Sequence, residues 1–171
     1  YLPRTNYRPM ADKAEYLRRT PRVSWIDEGE TQAKPVTEFF RHVHRRRIGA
    51  ASERTLNASI APPGVAHINT VISLSFKSLE QLTALSGLTA SCIYDFFVKS
   101  TGLPDLWETT LQRLPFVDSS KLKPRALALN CLTSHYAVLW EEVFDLEFTE
   151  QSWCQPDNPR LPQDFWANLT R

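Results

Sequence analysis

Cysteine is scarce: Cys92, Cys131 and Cys154 are the three in a chain of 171 residues, and no two of them stand at a CxxC spacing. That excludes a closed disulfide framework and a four-cysteine zinc site, and it fits a reducing compartment. Long apolar runs are missing as well. No stretch approaches the roughly 18 apolar residues that a membrane-crossing helix needs, and no basic-then-apolar leader opens the chain. A soluble, cytoplasmic protein without a membrane partner is expected. Neither a GxGxxG nor a GxxxxGK[ST] loop offers a phosphate cradle, and no GxSxG elbow presents a nucleophilic serine. With no complete catalytic motif, the chain reads as a binding domain rather than as an enzyme by itself. Its start at Tyr1, among prolines and arginines, reads as that of a fragment of something larger.

What is present is enough for one sizeable core, since 42% of the residues are hydrophobic and 11% aromatic. The net charge of +1 hides an uneven distribution. Residues 1–60 carry twelve Lys and Arg against seven Asp and Glu, a net +5, whereas residues 116–171 carry five against eight, a net −3. One basic face on a nearly neutral protein is the footprint of a polyanion binder, although surface charge also keeps ordinary domains in solution.

Pro3, Pro9 and Pro21, set among Arg4, Arg8, Arg18 and Arg19, predict an extended basic lead-in over residues 1–21, with a short helix at most over 12–19. Alternating apolar residues, or clustered aromatic and β-branched ones, predict strands over 22–26, 38–48, 54–61 and 67–76. Pro62-Pro63-Gly64 supplies the turn between the last two. From Ser78 the period changes. Leu79, Leu82, Leu85 and Leu88 recur every three residues behind a serine cap, the mark of an amphipathic helix. The short apolar run 92–98 is read as a strand, and a second long helix is predicted over 124–144 with Pro124 in its first turn. Pro156, Pro159 and Pro162 with Trp153, Phe165 and Trp166 then form a tail. Strands followed by helices, without βαβ alternation, predict an α+β fold: a mixed or antiparallel sheet packed by the leucine-rich helix, then the second long helix and an irregular aromatic and proline tail. The divisions are the lead-in 1–21, an α+β domain over 22–116, and a helical extension and tail over 117–171.

Few constellations carry chemistry. His42 and His44 share one face of a strand at a spacing used by some metal sites, but no third ligand stands nearby, so no metal is expected. The carboxylate pairs Asp95 with Asp105, and Glu141 with Glu142, are commonplace spacings better explained as solvated charges. The most informative cluster is Arg41, Arg45, Arg46 and Arg47, followed by Arg54 and Thr55. On a strand, Arg41, Arg45 and Arg47 would face one side and Arg46 the other, so three guanidiniums would meet a common partner. The planar guanidinium fork suits phosphate oxygens and the O6/N7 edge of guanine. Charged residues of this kind also protect an edge strand from aggregation.

The block Arg47-Ile48, Ser52-Glu53-Arg54-Thr55-Leu56 and Ile60-Ala61-Pro62-Pro63-Gly64-Val65-Ala66-His67 resembles a recurring stretch of DNA adenine-N6 methyltransferases of restriction-modification and phage-defence systems, of the Type IIG and Type ISP kinds. Leu79 to Leu88, Ser91, Asp95-Phe96-Phe97 with Lys99, and Leu114-Pro115 continue the likeness in order and spacing across residues 38–116, roughly half the chain. The resemblance implies a C-terminal target-recognition domain that binds double-stranded DNA. It also implies a methyltransferase core in cis that binds S-adenosylmethionine, with neither catalytic residues nor cofactor in this fragment. Arg54, Thr55 and His67 match family positions, either as struts of the fold or as contacts to the DNA backbone. Arg41, Arg45, Arg46, Arg47 and Lys99, with Arg4 and Arg8 of the lead-in, are the candidates for phosphate or base contact on their chemistry. A protein-interaction module of the same defence system, docking through the aromatic tail and the acidic C-terminal helix, is the rival expectation.

Overall fold

The computed structural model describes residue 10 and residues 12–49 and 51–146. The tail with its tryptophans and prolines, and Arg4 and Arg8, lie outside the described residues. Within them the fold is α+β, and the sheet is antiparallel throughout. Its three strands are β1 (Arg41–Arg45), β2 (Ala58–Ala61) and β3 (Val71–Ser75), in the order β2-β1-β3. In register, Arg41 faces Ala61 and Ser75, His42 faces Ile60 and Leu74, and His44 faces Ala58 and Ile72. The stretch 22–26, expected as a strand, contributes a single bridge between Arg22 and Pro35. In the lead-in, α1 (Lys13–Arg19) forms because Asp12 accepts from the backbone N–H groups of Ala14 and Glu15, and Glu15 pairs with Arg18 and Arg19 on the following turn.

The leucine-rich segment is α2 (Leu79–Thr89), capped by Ser78, whose Oγ accepts from Gln81 N–H at 3.3 Å. It is buried along most of its length. Leu82 enters a cluster with Phe40, Ile60, Leu127, Leu139 and Val143, and Leu88 enters a second cluster with Leu56, Tyr94, Val98, Leu106 and Leu111. The helix also buries Thr83, Ser86 and Thr89, whose hydroxyls donate to the carbonyls of Leu79, Leu82 and Leu85 one turn back. That back-bonding lets small polar side chains sit in a core without leaving a donor unpaired. Gly87 lets α5 (Leu122–Asn130) come close: a Cβ there would stand 3.2 Å from both the Cβ and the carbonyl oxygen of Leu122.

Two further predicted elements differ. The run 92–98 is not a strand but lies within the helix α3 (Cys92–Ser100). Ser91 caps it by accepting from Tyr94 N–H, and the buried residues Tyr94, Asp95 and Val98 lie at helical spacing while Ile93 and Phe96 face outward. The run is too short for composition to separate helix from strand, and the serine cap decides it. After the short α4 (Glu108–Leu111), the single helix expected over 124–144 is two, α5 and α6 (Ala137–Val143), joined through a 3-10 turn at Ser134–Tyr136.

Asn130 explains the break. Its Nδ2 donates to Ala126 carbonyl, while its Oδ1 accepts from Ile60 N–H at 2.9 Å and from the Ser59 hydroxyl at 3.2 Å. Tyr136 Oη donates to the Ile60 carbonyl at 2.9 Å. Both backbone groups of Ile60 on edge strand β2 are thus satisfied by side chains of the helical region, which covers an edge otherwise open to another strand. Residues on both sides of the boundary expected near 117 therefore share one core and one set of hydrogen bonds.

Candidate functional site

Strand β1 sets out the arginines in an order that alternation alone does not give. Arg41 is 1% exposed, and its guanidinium donates to the carbonyl of Val65, across the turn that follows β2. Burial pulls its pKa below the usual arginine value. It is therefore a strut between β1 and the 62–67 loop, and a side chain so enclosed presents no surface to a phosphate. Arg45, on the same face at the far end of the strand, is exposed. The strand stops there, so Arg46 and Arg47 do not continue its alternation. Arg46 N–H donates to Thr70 carbonyl, Leu106 N–H donates to Arg46 carbonyl at 2.7 Å, and Arg47 forms a bridge with Asp105. The expectation of Arg41, Arg45 and Arg47 projecting together is corrected on both counts.

Arg46 and Arg47 converge on one carboxylate. Arg46 Nε lies 3.7 Å and Arg47 Nε 3.9 Å from Asp105 Oδ1, and the Arg46 guanidinium carbon lies over the Trp107 ring at 5.4 Å from its centroid. The Arg46 side chain is mostly covered, and that of Arg47 is 71% exposed.

On the face of β1 opposite Arg41 and Arg45 lies the histidine pair. The rings of His42 and His44 are 5.8 Å apart, and both residues are buried. The Ser86 hydroxyl donates to Leu82 carbonyl, so toward His42 Nδ1, at 3.4 Å, it acts as acceptor, and Nδ1 carries the proton. His44 Nε2 faces the carbonyl of Leu106 at 3.3 Å and so carries its own proton. Among the described residues each ring keeps one bare nitrogen without a hydrogen-bond partner, His42 Nε2 and His44 Nδ1. Burial, and for His42 the neighbouring ring of His44, hold both rings neutral, with the His42 pKa pushed down to about 3 and that of His44 lowered as well. Among the described residues no group of three or more potential metal ligands stands together.

Arg54 and Thr55 of the block that resembles the methyltransferases make contacts within the fold. Asp95 Oδ1 accepts from the backbone N–H groups of Thr55 at 2.8 Å and Leu56 at 2.6 Å, and Arg54 Nε lies 3.7 Å from the same oxygen. The Arg54 guanidinium also donates to Ala90 carbonyl, at the C-terminal end of α2. Thr55 is buried, its Oγ1 without a hydrogen-bond partner. Lys99 Nζ, on the exposed side of α3, donates to Ser52 carbonyl at 3.2 Å, and His67 is exposed with its ring against the carbonyl of Ile68.

These placements leave a groove of about 560 Å³ between β1, β2 and the C-terminal end of α2. His44, Arg45, Arg54, Asn57, Ser59 and Thr89 supply its polar lining, and among the described residues none that lines it is acidic. Asn57, Ser59 and Trp107 are not singled out by the sequence. Asn57 and Ser59 belong to a short polar stretch with no motif, and Trp107 is brought to Arg46 only by a bridge spanning some sixty residues. A second concavity of about 520 Å³ is lined by Trp25, Phe76, Tyr94, Leu111 and Phe116 with Glu108 and Gln112. Among the described residues no helix is long and apolar enough to cross a membrane. No family model, curated protein or solved structure matches the chain.

Proposed function

We propose that this chain recognises a sequence in double-stranded DNA on behalf of an adenine-N6 methyltransferase of the restriction-modification or phage-defence kind. The catalytic core, linked in cis, binds S-adenosylmethionine, and the protein works in the cytoplasm. The observation that carries the DNA half of this reading is the groove onto which the exposed Arg45 opens, its polar lining completed by Arg54, Asn57, Ser59, His44 and Thr89 and holding no carboxylate among the described residues. Guanidinium groups there suit phosphate oxygens or the O6/N7 edge of guanine, and an amide such as that of Asn57 suits the N6/N7 edge of adenine. Arg47, exposed two residues beyond the end of β1, extends the positive surface. The methyltransferase half rests on the likeness across residues 38–116. Arg54, Thr55 and Asp95, which carry part of that likeness, bind one another, as expected of residues that keep a common scaffold while exposed positions choose the sequence. Ile93 and Phe96, 78% and 72% exposed on α3, supply an apolar face on which a covalently linked core would pack.

The test is fluorescence anisotropy with labelled duplex DNA across a salt series. Binding at low salt is expected, with log affinity falling linearly against log salt. Joint replacement Arg45→Glu and Arg47→Glu should abolish it while leaving thermal unfolding unchanged. A chain that binds no duplex at low salt would sink the reading.

A further inference from the structure

Trp107 is a large aromatic residue left 45% exposed, and what fixes it is unusual for a surface ring. The segment before it is tied to the end of β1 by two backbone hydrogen bonds, Ile48 N–H to Pro104 carbonyl at 3.0 Å and Leu106 N–H to Arg46 carbonyl at 2.7 Å. Leu106, its immediate neighbour, is 0% exposed and sits in the core cluster with Leu56, Leu88 and Val98. The Arg46 guanidinium covers one face of the indole and is itself held beside Asp105. The ring is thus backed by Arg46, and the residue remains 45% exposed. Arg46 and Arg47 both stand beside Asp105, so two guanidiniums meet this carboxylate next to the ring. Glu108, the next residue, lines the neighbouring pocket with Trp25 and Leu111.

We infer that Trp107 is a stacking platform for one unpaired base, with Arg46 behind the ring and Arg47 on the adjoining phosphate. A nucleotide offers the complement of this cluster: a π face for the indole and an anion for the exposed Arg47 guanidinium. A paired base inside a duplex offers no such face, so the platform selects DNA in which one base has left the stack. The inference rests on the DNA-binding reading above but concerns a different part of the surface from the groove.

The test compares a fully paired duplex with the same duplex carrying one bulged 2-aminopurine, using the full 171-residue chain. The wild type is expected to bind the bulged duplex more tightly and to quench the 2-aminopurine fluorescence. Trp107→Ala should weaken binding to the bulged duplex about tenfold and abolish the quenching, with less than about a twofold change on the paired duplex. Trp107→Phe, which keeps a ring and the fold, should retain most of both effects. If the wild type binds neither duplex, the DNA reading fails and the platform with it. If it binds but Trp107→Ala loses affinity equally for both duplexes, or if Trp107→Phe behaves as Trp107→Ala while melting at the wild-type temperature, the platform alone is overturned.

Discussion

Arg41 and Arg45 stand four residues apart on one face of the same strand, yet one is enclosed on a backbone carbonyl and the other opens onto a groove. What separates them is what the chain lays over each end of β1. The turn at Pro62-Pro63-Gly64 carries Val65 back over Arg41, with Gly64 at φ 81° making the reversal. Among the described residues no comparable segment covers Arg45. The same division runs through the domain. On the buried side, Arg41, His42, His44 and Asp95 are polar groups that hold strands, helices and loops in register. On the exposed side, Arg45, Arg47 and Asn57 are free to meet a partner. Charge alone is therefore a poor guide to function here, because half of the basic cluster is scaffold.

The sharpest way to break this contrast is at Asp95. Asp95→Ala removes the acceptor of two backbone N–H groups, those of Thr55 and Leu56, and leaves them buried. A loss of about 3 kcal/mol of stability is expected, read from urea unfolding. Asp95→Asn, which keeps an oxygen in place, should lose clearly less. A loss under about 0.5 kcal/mol for the alanine variant would show that this network is not a strut.

The histidine pair gives a pH-dependent version of the same contrast. Unfolded, His42 takes up a proton near its ordinary pKa of 6.5, whereas in the folded chain burial delays protonation to about 3. Between those values the unfolded state binds the extra proton, so stability is greatest above 6.5 and falls as the pH drops. From pH 7.5 to pH 5 His42 alone accounts for about 2 kcal/mol, and His44 adds in the same direction. The urea midpoint measured against pH should fall accordingly, and His42→Gln should flatten that slope. A slope unchanged in the variant would contradict the neutral, buried assignment.

Much of the fold was legible in the sequence, and the reasons for the misses are local. The leucine repeat and Ser78 marked α2, and the Pro-Pro-Gly turn marked the reversal after β2, because period and turn chemistry are properties of neighbouring residues. The helix α3 reads as a strand from composition because a seven-residue run that is apolar but for Asp95 fits either period, and the Ser91 hydroxyl decides between them. The break after Asn130 was invisible because that residue ends its helix to serve Ile60, seventy positions away. At the site, Arg45 and Arg47 were read as exposed cations and are so. Arg41 was not separable from them, because its partner is the carbonyl of Val65, a group every residue has. Trp107 carried no signal at all until the bridge between Arg47 and Asp105 brought it to Arg46.

The most direct comparison exchanges the same side chain at the two ends of β1. Arg41→Ala should lower stability by about 2 kcal/mol, since a large buried side chain is removed and the Val65 carbonyl loses its donor. Arg45→Ala should change stability by less than about 0.5 kcal/mol, as expected of an exposed position. Their effects on DNA should run the other way. For a duplex binder, each arginine that neutralises one phosphate adds about 0.9 to the magnitude of the slope of log affinity against log salt. Arg45→Ala should therefore flatten that slope by about one, and Arg47→Ala by a similar amount, whereas Arg41→Ala, measured well below its melting temperature, should leave it unchanged. Equal slopes for all three variants would mean that the exposed end of β1 does not touch phosphate. A changed slope for Arg41→Ala would mean that the loop it holds, with Val65 and His67, lies against the DNA, which would move the interface from the groove to the covered end of the strand.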